Sequence, residues 1–391
     1  MANPSVRRPT GGAVEDCALI GNRATNILFL DSIFFLGGAE RVTYDLVHRL
    51  DRERYRPVLC TLYEPGPVGE WFIRDGFRFY QRLISFAYDV RALWRLGRII
   101  VREQIGLIYL INQPLTMFWG LLASKWHHIP IISVVHNTFF GGETPKSRVT
   151  RMLMTRADAI VAVAEMQREH LVRNERMPES LVRVIHNGID LAHFQPRVGR
   201  EEQRRSLGLD PMGPVVGIVG RLVHLKGLDI FLQAAKAVLK DLPATQFLIV
   251  GDGPEGESLK NLSRALGVES SVFFLGRRDD IADLIQVFDI AVLCSRTEAL
   301  PMVILEYMAL AKPVIATRVG SVPELVIDEE TGLVIHAEDA KGLVDALLAL
   351  LRQPGRAKQM GLAGRERVQS SFLVSNTVQK TQQLFSELLR R

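Results

Sequence analysis

The stretch VVGIVGRLVHLKGLDIFLQAAKAVL, residues 215–239, runs from a short apolar segment through a loop with glycine at 220 and 227 into a helical pattern. An apolar run of roughly four to six residues with no polar alternation reads as a strand buried on both faces. Such strands belong to parallel sheets covered by helices. The first half of the chain opens on the same plan with NILFLDSIFFLGGAERVTYDLVHRL, residues 26–50.

Working outward, apolar runs recur at 26–31, 57–62, 107–111, 130–135, 159–164 and 182–185. A second series lies at 215–220, 246–251, 272–276, 290–294, 313–317 and 333–335, with helical patterns between the runs. Two series predict an α/β chain of two doubly wound, Rossmann-like domains facing each other across a cleft. Ligands would sit at the carboxyl ends of the strands. The expected division is a flexible tail at 1–24, a first domain at 25–195 and a second at 196–375. A final helix at 376–391 would pack back on the first domain. The joint falls in 186–214, which holds an Asn-Gly turn, a charged run and two late prolines.

The 391 residues are 47% hydrophobic with a net charge of +5, the composition of a globular chain. Residues 1–195 carry 24 Lys+Arg against 19 Asp+Glu, and 22 of those 24 cations are Arg; residues 196–391 carry 24 of each sign. All the excess charge is therefore in the first half. It suits phosphate groups or an acidic membrane surface, a solvated arginine-rich face being the alternative. Cys17, Cys60 and Cys294 have no metal or redox spacing, which points to a reducing compartment. The polar first residues lack the apolar core of a signal peptide. The run from Gly106 to Lys125 is broken at Asn112-Gln113-Pro114, short of the roughly 20 apolar residues of a membrane span.

In GRLVHLKG, 220–227, Arg221 and Lys226 flank a loop that ends where a helix begins near Leu228. Backbone N–H groups at a helix start, with two cations, suit a diphosphate without a metal. Two ordinary surface cations are the alternative. GDGPEG, 251–256, is a literal G-x-G-x-x-G with Glu269 downstream. It follows the second strand of its half, and Pro254 delays the helix, so it reads as a close-approach loop lining the cleft.

The segment SRTEALPMVILEYMALAKPV, 295–314, holds two carboxylates among apolar residues, Glu298 and Glu306. Pro301 suits a helix start and Lys312-Pro313 a helix end. Glu298 then lies in the preceding loop and Glu306 inside a helix that is apolar on nearly every face. A buried carboxylate needs a partner. Internal cations and ligand hydroxyls both remain open. The helix start around Leu300 to Val303 offers free N–H groups that can hold phosphate, from Leu300, Met302 and Val303, with Pro301, which has none, fixing the first turn.

Taken together and in order, GGAE (37–40), VVHN (134–137), ADAIVAVAE (157–165), HNGID (186–190), GRLVHLKG, GDGP (251–254), FLGRRDDI (274–281), E-x7-E (298–306) and AKPVIATRVGSVPELVIDEETGLV (311–334) resemble the retaining family 4 glycosyltransferases of the GT-B fold. The likeness covers about residues 26–340. It implies a hexosyltransferase moving a hexose or N-acetylhexosamine from a UDP- or GDP-type sugar to a hydroxyl. The acceptor would be a glycan or lipid-linked, in bacterial cell-surface polysaccharide synthesis. The first domain would serve the acceptor and the second the nucleotide sugar. The resemblance further implies that Arg221 and Lys226 bind the donor diphosphate, Glu306 the ribose and Glu298 hydroxyls of the transferred sugar. His136 would lie near the sugar on the first-domain side. Gly37 and Gly38 would let backbone approach phosphate or acceptor, and Gly276, Arg277 and Arg278 would lie near the base. No metal, no cofactor and no nucleic acid partner are implied. The protein would be cytoplasmic, at the inner face of the membrane where the acceptor is lipid-linked.

Two positions depart from the family pattern: Ala299, where glycine usually follows the first glutamate, and Ala164, where serine often precedes Glu165. VRALWRLGRIIVREQ, 90–104, sets Arg91, Arg95, Arg98 and Arg102 at helical spacing beside an apolar surface expected from Trp94, Ile99, Ile100 and Val101. A basic amphipathic helix of this kind can lie on an anionic membrane, or simply pack on the sheet. A second cationic patch, Lys146, Arg148 and Arg151, follows the Phe139–Gly142 loop, expected near the acceptor. Two other classes share this architecture. A nucleotide-sugar isomerase would lack the ordered motif set, and a non-catalytic binding subunit would have lost a cleft residue.

Overall fold

The computed structural model describes residues 24–35, 37–111, 114–136 and 145–390, without the side chains of 145–148 and 150. The Phe139–Gly142 loop and the side chains of Lys146 and Arg148 therefore lie outside the described residues. The first sheet contains β1 (Thr25–Asp31), β2 (Tyr55–Thr61), β3 (Phe79–Tyr80), β4 (Ile105–Ile111), β5 (Ile131–Val135), β6 (Ala159–Ala162) and β7 (Val182–Val184). Its order is β3-β2-β1-β4-β5-β6-β7. The second contains β8 (Val215–Val219), β9 (Gln246–Val250), β10 (Val272–Phe274), β11 (Ile290–Leu293), β12 (Val314–Thr317) and β13 (Gly332–Ile335), in the order β10-β9-β8-β11-β12-β13. All named pairs are parallel. In each sheet the order reverses beside the first strand, which places a ligand crevice at the ends of β1/β4 and β8/β11.

The apolar runs form strands because both of their faces are covered. Along β1, Ile27 and Phe29 enter one apolar core while Leu28 and Leu30 enter another on the opposite face. The two-residue β3 is the exception, half-buried and too short to show a run.

The chain passes between the sheets twice, and the two passages are bonded to each other. Ile189 N donates to Phe372 O at 2.9 Å and Val374 N to Ile189 O at 3.1 Å. Gly188 has no room for a side chain, since a Cβ would strike the Leu373 carbonyl. Beyond the second passage, helix Val374–Leu389 lies on the first sheet, where the Phe385 ring packs against Tyr55 and Tyr109 at 5.4 and 5.9 Å between centroids. Among the described residues no helix is long and apolar enough to cross a membrane.

Candidate active site

The loop after β8 turns through His224–Lys226 and starts helix Leu228–Asp241 at Gly227, whose φ is +65°. A Cβ at Gly227 would collide with the Cys294 carbonyl, so this turn is pressed against the end of β11. That contact brings Lys226 onto Glu298. Lys226 Nζ donates to Glu298 Oε1 at 2.5 Å, and Ser295 Oγ donates to the same oxygen at 2.6 Å. Arg221, at the start of the loop, is exposed and makes no ion pair among the described residues.

Glu306 has other surroundings. Its helix runs Met302–Ala309 and buries Ile304, Leu305, Tyr307 and Met308 completely. Pro301 is the N-cap and supplies no side-chain cap, which leaves N–H groups of the first turn for an anion. Glu306 opens into a cavity of about 800 Å³ between the domains, shared with Gly38, Arg41, Trp71, Asp190, Asp280 and Met302. It makes no hydrogen bond among the described residues. Burial raises its carboxyl above the ordinary range, and the charge of Arg41 pulls the other way. The two glutamates thus have different surroundings: Glu298 is bonded to Lys226 and Ser295, and Glu306 faces the cavity.

On the first-domain side, Gly37 caps helix Gly38–Arg49. A Cβ on Gly37 would lie 2.6 Å from Glu40 Oε2, and one on Gly38 would lie 3.2 Å from Met302 Cγ. The first glycine makes room for Glu40 to fold back over its own helix start. The second lets this loop touch the helix that carries Glu306. A carboxylate of the chain therefore occupies the first-domain helix start, while the second-domain one at Met302 stays uncapped. An anion is favoured at the latter. His136 follows β5. The residue is half-buried, yet both ring nitrogens are buried and neither has a hydrogen-bond partner among the described residues. Burial pushes its pKa down to about 4, so the ring is neutral at ordinary pH.

The G-x-G-x-x-G loop serves packing. A Cβ on Gly251 would strike Gly220 O and one on Gly253 would strike Leu222 O, while Leu222 N donates to Asp252 O at 2.9 Å. Its glycines let it lie against the Arg221–Lys226 loop. Of the region expected near the base, Gly276 has φ +66° and accepts from Gly251 N at 2.8 Å. The Arg277 and Arg278 side chains are exposed, and Arg278 is tied to Asp280 at 2.6 Å. The cavity wall is formed by the next five residues, 279–283, rather than by these three.

Ala299 has no left-handed backbone, so an alanine fits there without strain. The glycine this turn requires is Gly320, at φ +49°, where a Cβ would collide with the Glu298 carbonyl. Ala164 is indeed a helix N-cap without a side-chain bond, and the missing cap comes from Glu324 of the other domain. Sequence reasoning missed Ser295, Arg41, Gly320 and Glu324. All four lie within or beside the quoted motifs; Ser295 has its partner three residues on, and the partners of the other three are remote in the chain.

Two family models divide the chain. The Glycosyltransferase Family 4 model matches residues 36–193, and the Glycosyl transferases group 1 model matches 199–367. The lipopolysaccharide core biosynthesis mannosyltransferase LpsB of Rhizobium meliloti is 32% identical over 249 residues, 62% of this chain and 69% of that protein. The N-acetyl-alpha-D-glucosaminyl L-malate synthase of Bacillus anthracis is 25% identical over 312 residues, 78% of this chain and 80% of that protein. Among solved structures, Anabaena HepE in complex with UDP matches with a TM-score of 0.83 at 23% identity, over 93% of this chain and 100% of that one. The paired models meet at the joint between the two sheets, and GGAE, HNGID, FLGRRDDI and E-x7-E each place residues on the cavity there: the chain belongs to the group 1, family 4 glycosyltransferases of the GT-B fold.

Proposed function

We propose that this glycosyltransferase moves a hexose or N-acetylhexosamine from a UDP- or GDP-type sugar to a hydroxyl of a glycan or lipid-linked acceptor, with retention of configuration and without a metal. The observation that carries this reading is the division of labour in E-x7-E. Glu306 is a carboxylate without a hydrogen-bond partner among the described residues and faces a cavity, the environment a ribose diol would satisfy. Glu298 sits against Lys226 in the loop before the same helix and lines a second cavity of about 350 Å³ with Ala299, Gly320 and Ser321, where the sugar would meet the diphosphate. Lys226, Arg221 and the N–H groups at Met302 and Val303 would neutralise the leaving diphosphate, which is the main barrier-lowering task in such a transfer. His136, neutral and without a hydrogen-bond partner among the described residues, would bond a sugar hydroxyl.

A panel of nucleoside diphosphates and their sugars, read by thermal shift, tests the donor half. One base is expected to raise the melting temperature clearly above the others. If no nucleoside diphosphate binds, the reading fails. The anomeric configuration of the product, read by NMR, then tests retention.

An anionic membrane is the proposed setting. Phe86, Tyr88, Val90, Trp94, Val101 and Trp126 are 60–77% exposed. Trp94 and Val101 share one side of helix Arg91–Arg102, and Leu122 and Trp126 one side of helix Pro114–His127. The two helices touch where a Cβ on Gly97 would meet His127 Nε2 at 2.8 Å. Arg98 stacks on Trp94 at 4.7 Å, while Arg91 and Arg95 pair with the buried Asp89 at 2.7 and 3.4 Å and Arg102 with Glu103 at 3.7 Å. Aromatic surface framed by arginines suits an anionic lipid interface. Flotation is expected with phosphatidylglycerol vesicles, not with phosphatidylcholine alone, and is expected to be lost in Trp94→Ser/Trp126→Ser. Binding that ignores lipid charge or the two substitutions overturns this setting and leaves the transfer reading standing.

A further inference from the structure

Glu324 belongs to the second domain, in the short helix Val322–Leu325, yet its carboxylate is bonded to the first. Oε2 accepts from Glu165 N at 2.9 Å, Oε1 accepts from Met166 N at 2.7 Å, and His186 Nε2 lies 3.2 Å from Oε2. Glu165 and Met166 open helix Glu165–Arg173, which has only Ala164 as its N-cap. The carboxylate stands on two N–H groups that no helical carbonyl can serve, at the positive end of the helix dipole. Burial works to raise the Glu324 carboxyl, but the bonds from His186, Met166 and Glu165 outweigh it and hold the group below its ordinary range.

The backbone behind Glu324 is anchored as firmly. Arg367 donates to Glu324 O at 2.7 Å and to Leu325 O at 2.9 Å. Four residues earlier, Gly320 lies against the Glu298 carbonyl, and Ser321 donates to Ala299 O through its N–H at 3.1 Å and through its hydroxyl. Residues 320–324 therefore connect the turn that carries Glu298 to a helix of the opposite domain. The Glu324 and His186 side chains keep 21% and 26% exposure, so water can replace each partner when the domains part.

We infer that Glu324 is an interdomain latch and a positioning residue for transfer. Its grip on helix Glu165–Arg173 and His186 holds the cleft closed and sets the turn that presents Glu298. The positioning role rests on Glu298 serving the sugar, as proposed above. Closure can be measured without that assumption. When the latch releases, the hydrogen-bonded pair of passages at Ile189 and Val374 remains as the connection about which the domains swing.

The test compares wild type with Glu324→Ala, Glu324→Gln and the double variant Ala164→Ser/Glu324→Ala. Serine at 164 supplies a local cap to the helix but no bridge between domains. Small-angle scattering is expected to give a larger radius of gyration for Glu324→Ala than for wild type, with Gln in between. Transfer should fall about tenfold or more in Glu324→Ala while nucleoside diphosphate affinity stays within about threefold. The double variant should recover melting temperature but neither the compact radius nor turnover. An unchanged radius overturns the latch, and so does recovery of turnover in the double variant, which would make Glu324 a helix cap only. Scattering needs no substrate, so a failed transfer assay and a failed latch are told apart.

Discussion

Lys226 Nζ lies 2.5 Å from Glu298 Oε1, so the cation proposed to bind a diphosphate and the carboxylate proposed to bind a sugar hold each other. The pair is only partly exposed, 27% and 10%, and Ser295 holds the carboxylate oxygen in place. A donor entering the site competes with Glu298 for the lysine. Glu298→Ala should therefore tighten binding of the free nucleoside diphosphate by about threefold, within the worth of a partly exposed ion pair. Turnover should drop by about a hundredfold, because the sugar loses its anchor. Titration calorimetry and initial rates read the two effects separately. Lys226→Ala should weaken the nucleoside diphosphate about tenfold or more, since a charge-assisted contact is lost and Glu298 remains without its cation. Weaker nucleotide binding in Glu298→Ala would mean the pair is not in competition with the ligand.

Glu306 carries a trade between stability and binding. Its folded pKa is raised by burial. A raised acid contributes stability that is complete at low pH and lost as pH rises through the folded value, where the buried group must ionise without a partner. At pH 8 Glu306→Gln should therefore melt about 1–3 °C above wild type in the absence of ligand. At pH 4 the difference should vanish. The same substitution should shrink the thermal shift produced by nucleoside diphosphate, because a carboxylate meets two hydroxyls with two charged acceptor oxygens and an amide offers one neutral one. Equal ligand-induced shifts in the two proteins would remove Glu306 from the ribose.

What could be read from the sequence follows the range of the interactions involved. Burial on both faces leaves a contiguous apolar signal, so the runs at 26–31 and 215–220 became β1 and β8. Phe79–Tyr80 was illegible because two residues carry no period. The helix around Glu306 was legible through Pro301 and its unbroken apolar character. The Lys226–Glu298 pair spans 72 residues and the Glu324–Met166 bond 158, and no local pattern announces either. The departures at Ala164 and Ala299 are explained the same way. Each lies in a local motif, and in each case the residue that completes the local structure, Glu324 at the helix start and Gly320 at the turn, comes from the 320–324 segment, remote in sequence.

Gly320 makes that segment sensitive. Its φ of +49° and its contact with the Glu298 carbonyl leave no place for a methyl group. Gly320→Ala should lower stability by about 1–3 kcal/mol, the usual cost of a forced left-handed residue plus a backbone clash, and turnover with it. Ala299→Gly, at a residue with ordinary backbone geometry, should leave turnover within about twofold. Denaturant melts and initial rates on both variants decide the matter. If Ala299→Gly proved the more damaging, the strain in this turn would lie at 299 after all.

His136 gives the last prediction its sign. Burial lowers its folded pKa to about 4 from the ordinary 6.5. Between those values the unfolded chain binds a proton that the folded protein refuses, so stability falls as pH drops from 6.5 toward 4. His136→Gln removes that titration, and the acid side of its stability curve should be flatter than wild type over this interval. A ring that stays neutral cannot act as an imidazolium acid near neutral pH. The pH profile of wild-type transfer should accordingly show no inflection from this residue above about pH 5, and His136→Gln should lower the rate by a factor that does not change with pH. A proton NMR titration of the His136 ring with a midpoint near 6.5 would contradict both statements, since it would show a ring that takes its proton in the folded protein.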